Sequence, residues 1–181
     1  IGQNNGSHHV PFSAAQRQCT FTVALRYGFK TFLRGTYDCG QNHHNKGETA
    51  RENSRAQTKQ LREFIYNEYK KGNYVIAGGD FNQIFPGGLE KYPNDHVDLW
   101  EPGIIENDML SDGWQFAYDL DTPTCRLLNQ PYEPEDTENT QYYVIDGFIL
   151  SPNVKLNSVE TLDCGFVNSD HNPVSMSITL G

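Results

Sequence analysis

YVIAGGDFNQ, residues 74–83, joins an unbroken apolar run to two glycines and then sets Asp80 and Asn82 two positions apart. A short, wholly apolar run suits a strand covered on both faces. In an extended chain, positions i and i+2 project to one face, so Asp80 and Asn82 are expected to point together from the carboxyl end of that strand. Such ends are where open α/β sheets bind ligands. The preceding glycines permit close approach of a ligand or of another backbone. An Asp-Phe-Asn turn that merely caps the strand suits the same residues equally well.

Upstream, ETARENSRAQTKQLREFIYNEYKK (48–71) places Ala50, Ser54, Gln57, Leu61, Phe64 and Ile65 at helical spacing, with Gly72 as a stop. Helix followed by buried strand is α/β order. CTFTVALRY and KTFLRGTY read as two strands of a hairpin, and QYYVIDGFIL, VKLNSVETL and PVSMSITL as three closing strands. Residues 84–140, rich in Pro, Gly and acids, read as long loops with short elements around DGWQFAYDL and an exposed acidic excursion at EPEDTENT. Residues 1–16 read as loop.

The chain has 181 residues, enough for one domain with a real core. With 36% hydrophobic and 20% charged residues it lies outside the disordered class. No apolar run approaches the roughly 20 residues of a membrane span, and residues 1–16 lack the order of a signal peptide. The net charge of −9 argues against a broad nucleic-acid-binding face. A metal ion in a cleft would reverse that sign locally. Cys19, Cys39, Cys125 and Cys164 form no CxxC pair and no zinc-finger spacing, which favours buried free thiols, with one or two disulfides as the alternative.

Four further segments carry candidate chemistry. SDHNPV (169–174) offers the Asp170 carboxylate beside His171, an imidazole titrating near neutrality, with Asn172-Pro173 fixing a turn. In VIDG (144–147), Asp146 interrupts an apolar strand and needs a partner, because burying a lone carboxylate is expensive. His171 is the natural one, its tautomer fixed and its charge stabilised by the carboxylate. NHHN (42–45) and Arg126 in PTCRLL are weaker signals: a His pair for metal, phosphate or solvent, and a guanidinium for an anion or for solvent.

Taken together and in this order, NHHN, RAQTKQL, GGDFNQ, DTPTCRLLNQPY, YYVIDGFILSPNV and GFVNSDHNPV resemble the endonuclease/exonuclease/phosphatase superfamily over about residues 42–181. The resemblance implies an α/β class fold, the DNase I-like four-layer α/β sandwich, with the chain holding mainly its second half. It implies a single domain over 1–181 whose N-terminal part is absent or shortened. The implied activity is hydrolysis of a phosphodiester or phosphomonoester, by a nuclease or by an enzyme of small phosphoesters, with Mg²⁺ or alternatively Mn²⁺ organising the attacking water. By the same resemblance Asp80 orients or deprotonates the water, and Asn82 contacts the phosphate. His171 acts at the scissile group with Asp146 as its partner, Asp170 lies on the metal side, and His44 donates to a phosphate oxygen. Arg126 is a candidate substrate contact.

The family's metal-binding glutamate has no counterpart, since no Asp or Glu precedes Asp38. A truncated chain is the expected explanation, with a partner chain completing the fold or a noncatalytic binding module on the same scaffold as alternatives. A zinc or iron hydrolase using His8, His9, His43 and His44 is a third reading, weakened by the adjacency of each pair. Substrates of the resembled family include nucleic acids and nucleotide conjugates, and the residues that would choose among them fall in 84–140.

Overall fold

The run at 74–80 becomes the middle strand of a five-stranded sheet. The computed structural model describes the backbone of residues 22–27, 30–31, 48–135 and 139–180, and side chains from residue 55 onward within those ranges. In chain order the elements are β1 (Thr22–Tyr27), β2 (Lys30–Thr31), α1 (Glu48–Lys70), β3 (Tyr74–Asp80), β4 (Gln83–Ile84), α2 (Gly88–Lys91), β5 (Gly103–Ile104), a 3₁₀ turn (Asn107–Met109), β6 (Gln115–Ala117), β7 (Cys125–Arg126), β8 (Tyr142–Tyr143), β9 (Asp146–Leu150), β10 (Val154–Thr161) and β11 (Val174–Leu180). The class is mixed α/β.

The sheet order is β2-β1-β3-β9-β6, and each pairing within it is antiparallel. The β1–β2 hairpin pairs Tyr27 with Lys30, as the alternating sequence anticipates. Antiparallel neighbours change the meaning of a strand end. The edge of the sheet at Asp80 is built from the end of β3 and the start of β9, rather than from a row of parallel carboxyl ends.

Both faces of β3 are covered, for different reasons. Val75 and Ala77 are fully buried against Leu61 and Ile65 of α1. Tyr74 and Ile76 project the other way, where with Phe148 they meet Leu156, Val159, Met176, Ile178 and Leu180 of the β10–β11 hairpin around Leu150 and Val154. Helix, five-stranded sheet and two-stranded hairpin therefore stack as three layers among the described residues. The helix stops at Lys70, where Gly72 takes the left-handed conformation (φ 85°) and the buried Glu68 carboxylate accepts from Asn73 Nδ2 at 3.0 Å.

QYYVIDGFIL divides into two strands instead of one. Tyr142–Tyr143 pairs with β7, and after Val144 and Ile145 the chain changes partner and joins β3. The two linking carbonyls are not wasted: Val144 O accepts from Phe85 N at 3.0 Å and Ile145 O from Phe81 N at 2.9 Å. The glycines of this region receive aromatic rings rather than a ligand. A Cβ on Gly78 would collide with the Phe148 ring, and one on Gly147 would sit 2.8 Å from Phe85 Cζ and 3.0 Å from the Ala117 carbonyl. Residues 84–140, expected as long loops with short elements around DGWQFAYDL, carry β6 within that stretch and, beyond it, the two-residue β5 and β7, and Phe85 packs at 4.7 Å on Tyr118 and edge-on to Phe81 and Phe116. No helix among the described residues is long and apolar enough to cross a membrane.

Gly147→Ala would press a methyl into both a ring and a fixed backbone carbonyl, so it should lower the unfolding free energy by about 1–3 kcal/mol. Urea denaturation followed by circular dichroism measures this, and an unchanged midpoint would contradict the close packing at Gly147.

Candidate functional site

Asp80 and Asp146 are direct partners in the β3–β9 register, and the strand alternation that buries Ile76 and Phe148 puts both carboxylates on the hairpin side of the sheet. Side chains directly opposite across an antiparallel pair lie roughly 4.5–5.5 Å apart at Cβ, and like charges there repel. The two carboxylates are held by different groups. Asp80 Oδ1 accepts from the Asn82 backbone N–H at 2.8 Å and Oδ2 from Asn82 Nδ2 at 3.0 Å, while Asp146 Oδ2 meets His171 Nδ1 at 2.8 Å. His171 Nε2 then faces Asp80 Oδ2 and Asp170 Oδ2, each at 4.0 Å.

Asn82 reaches Asp80 by a route that strand alternation does not supply. Its φ is 49°, in the left-handed region that Asn tolerates. β3 ends at Asp80, and the Asp80 carboxylate closes an Asx-type turn over Phe81. Phe81 is 4% exposed and packs on Phe85, which leaves its two neighbours on the opposite side of the chain. Because the Asn82 amide donates to Asp80 and the residue is 2% exposed, Asn82 orients the carboxylate. Gln83 Nε2 donates to Thr58 Oγ1 at 2.8 Å and ties the same turn to α1.

The strand β7 supplies the remaining wall. Cys125 and His171 face each other as an isolated antiparallel bridge, Arg126 N donates to Asp170 O at 3.0 Å, and Asn172 N donates to Thr124 O at 2.8 Å. Thr124 is fully buried, and its Oγ1 accepts from Ile145 N and Asp146 N at 2.9 and 3.1 Å. Asn172, 3% exposed, donates to Pro123 O and accepts from Cys164 N, which locks the turn ahead of β11.

No family model, curated protein or solved structure matches the chain at a significant level. The site is therefore read from its own geometry. Cys125 Sγ, an Asp170 carboxylate oxygen and a His171 ring nitrogen lie within 4.8 Å of one another and could hold a metal ion. The hard oxygens of Asp80 and Asp170 suit Mg²⁺, which keeps several waters; the Cys125 sulfur does not.

Asp80, Asn82, Asp146, Asp170 and His171, the residues singled out by sequence, thus come together. Arg126 does not join them. Successive strand residues face opposite ways, so with Cys125 toward His171 the Arg126 side chain turns from the cluster, 9% exposed, its guanidinium 4.7 Å above the Tyr132 ring and its Nη1 donating to Leu127 O at 3.4 Å. His44, with His43, His8 and His9, lies outside the described residues, as do Cys19 and Cys39. Cys164 is a free exposed thiol instead of a buried one, whereas Cys125 is free and buried. Cys125 and Thr124 escape a sequence reading because two-residue strands carry no periodicity; their one signal is PTC, a small polar and a thiol residue just after a proline.

His171 also departs from the near-neutral titration expected of it. Burial, the largest single influence, pulls its pKa down, but hydrogen bonds to Asp146 and Cys125 and attraction to both groups outweigh it, and the imidazole is pushed up to about 11. A folded value above the ordinary 6.5 means that the stabilisation is fully present below that pH and is lost as pH rises through about 11. An NMR titration of His171 should show the ring protonated well into the alkaline range. Asp146→Asn should lower its midpoint by about 1–3 units, and a wild-type ring titrating near its ordinary value would contradict the pairing.

Proposed function

We propose that the chain is a metal-dependent phosphoesterase on a DNase I-like scaffold, hydrolysing a phosphodiester or phosphomonoester by attack of water. The observation that carries this reading is the His171 imidazole, backed by Asp146 at 2.8 Å and presenting Nε2 between Asp80 and Asp170. Phosphoester hydrolysis needs a positioned water, donors on the phosphoryl oxygens and added positive charge.

Asp80, oriented by both Asn82 N–H groups, holds the attacking water and takes its proton as the water oxygen bonds to phosphorus and the ester P–O bond breaks, the leaving oxygen taking its proton from solvent. His171, cationic through the physiological range, donates from Nε2 to a phosphoryl oxygen; Asp146 keeps Nδ1 protonated and the ring aimed. Asp170, with water molecules, is the residue that would hold Mg²⁺ or Mn²⁺, which when bound neutralises charge on the phosphate and lowers the pKa of a coordinated water. Since His171 stays charged across neutrality, a limb of the pH-rate profile near pH 7 would belong to another group.

The test is hydrolysis of bis(p-nitrophenyl) phosphate and p-nitrophenyl phosphate with Mg²⁺. Asp80→Ala and His171→Ala should each reduce kcat/KM by about 10²–10⁴-fold without altering the circular dichroism spectrum. A fully active Asp80→Ala protein overturns the reading, and tight binding of a phosphoester without turnover by the wild type favours a binding module.

A further inference from the structure

We propose that Cys125, Asp170 and His171 form a binding site for a thiophilic divalent cation of the zinc class, and that this ion shuts the site by capturing His171 Nε2. Only the inhibitory consequence rests on the phosphoesterase reading; the binding itself does not.

Three donors of different chemistry converge here: a thiol sulfur, a carboxylate oxygen and an imidazole nitrogen, all within 4.8 Å of one another. Tetrahedral zinc, with bonds of about 2.0–2.3 Å, places its donors roughly 3.3–3.7 Å apart. The 4.0 Å between His171 Nε2 and Asp170 Oδ2 needs a contraction of a few tenths of an ångström, and separations of up to 4.8 Å within the cluster need roughly 1 Å; Asp80 Oδ2 is held by Asn82 and lies outside the group, which leaves the fourth position to water. Mg²⁺ has little use for a sulfur ligand, whereas thiolate with imidazole selects zinc-like ions.

The donors are held by backbone before any ion arrives. The Cys125–His171 bridge fixes two of them opposite each other, and the Arg126 N–H to Asp170 carbonyl bond fixes the third. Behind the imidazole stands Asp146 on Nδ1, the arrangement in which a carboxylate sets the ring orientation of a metal-bound histidine and leaves Nε2 for the ion. Cys125 is fully buried at the floor, while the Asp170 and His171 side chains remain 23% and 25% exposed, so an ion enters from their side. Binding exchanges two protons for metal bonds, the thiol proton now directed at the Arg126 carbonyl and the Nε2 proton of the imidazolium, and releases both to solvent, while Nδ1–H stays on Asp146.

The full chain carrying Cys19→Ser, Cys39→Ser and Cys164→Ser, in which Cys125 is the one remaining thiol, is titrated with Co²⁺. A thiolate-to-cobalt charge-transfer band should grow to one ion per chain, disappear on addition of Zn²⁺ and resist excess Mg²⁺. Asp146→Asn should weaken Co²⁺ binding by about 10–100-fold while keeping the band, and Cys125→Ser should remove the band. Zinc-edge X-ray absorption on the unsubstituted protein should show one sulfur among nitrogen and oxygen neighbours, a result that stands even if Cys125→Ser fails to fold. A zinc shell without sulfur, or a band that survives Cys125→Ser, overturns the proposal. If the sulfur-bound ion is found in a protein that hydrolyses no phosphoester, the metal site stands and the phosphoesterase reading falls. If Mg²⁺-dependent hydrolysis is found with no sulfur-bound zinc, the reverse holds.

Discussion

The register that pairs Asp80 with Asp146 is the constraint around which the rest of the structure is arranged. Two carboxylates on adjacent strands, both largely covered, cost free energy unless each has a donor or cation of its own. Asp80 is satisfied locally by the turn that follows it, but Asp146 has to be met from elsewhere in the chain. The segment before β11 carries His171 to it, which closes the β10–β11 hairpin over the sheet edge and accounts for the strongly raised pKa of the imidazole. The apolar residues of the hairpin cover Phe148 and Leu150, and its lead-in supplies the charge partner.

The direction of Asp80 is set from below by Phe81. That ring packs edge-on to Phe85, which stacks on Tyr118 and fills the space left by Gly147, so the aromatic column under β3 and β9 fixes the backbone from which the polar residues emerge. A strand can end on two polar side chains because the apolar residue between them is anchored. The left-handed Asn82 then turns the chain out of the sheet toward β4, where Gln83 is tied to α1.

Much of this was legible in sequence. The helix at 48–70, the β1–β2 hairpin and the buried run at 74–80 follow from period 3.6, alternation and an apolar block, signals that survive because many residues repeat them. The pairing of Asp146 with His171 was legible from cost alone, as a carboxylate inside an apolar strand needs a partner. What escaped depends on single residues or on tertiary pairing. The change of partner at Val144-Ile145 leaves no mark in an apolar run, and the Thr124 hydroxyl that serves two backbone N–H groups resembles any other Thr in a loop. Arg126 was misplaced because one step along a strand reverses a side chain.

Formal charges at the site argue further about its chemistry. Asp80, Asp146 and Asp170 stand against one imidazolium, a balance of −2 in a chain of net −9. An anion approaching Nε2 must therefore pass two carboxylates whose oxygens lie 4.0 Å from the imidazole nitrogen. Hydrogen bonds from Asn82 temper Asp80 without cancelling its charge. By charge alone, a site of this composition favours a divalent cation over a phosphate. The identity of the cation is then decided by which donors it draws on: the oxygens of Asp80 and Asp170 at the open side, or the sulfur of Cys125 at the floor.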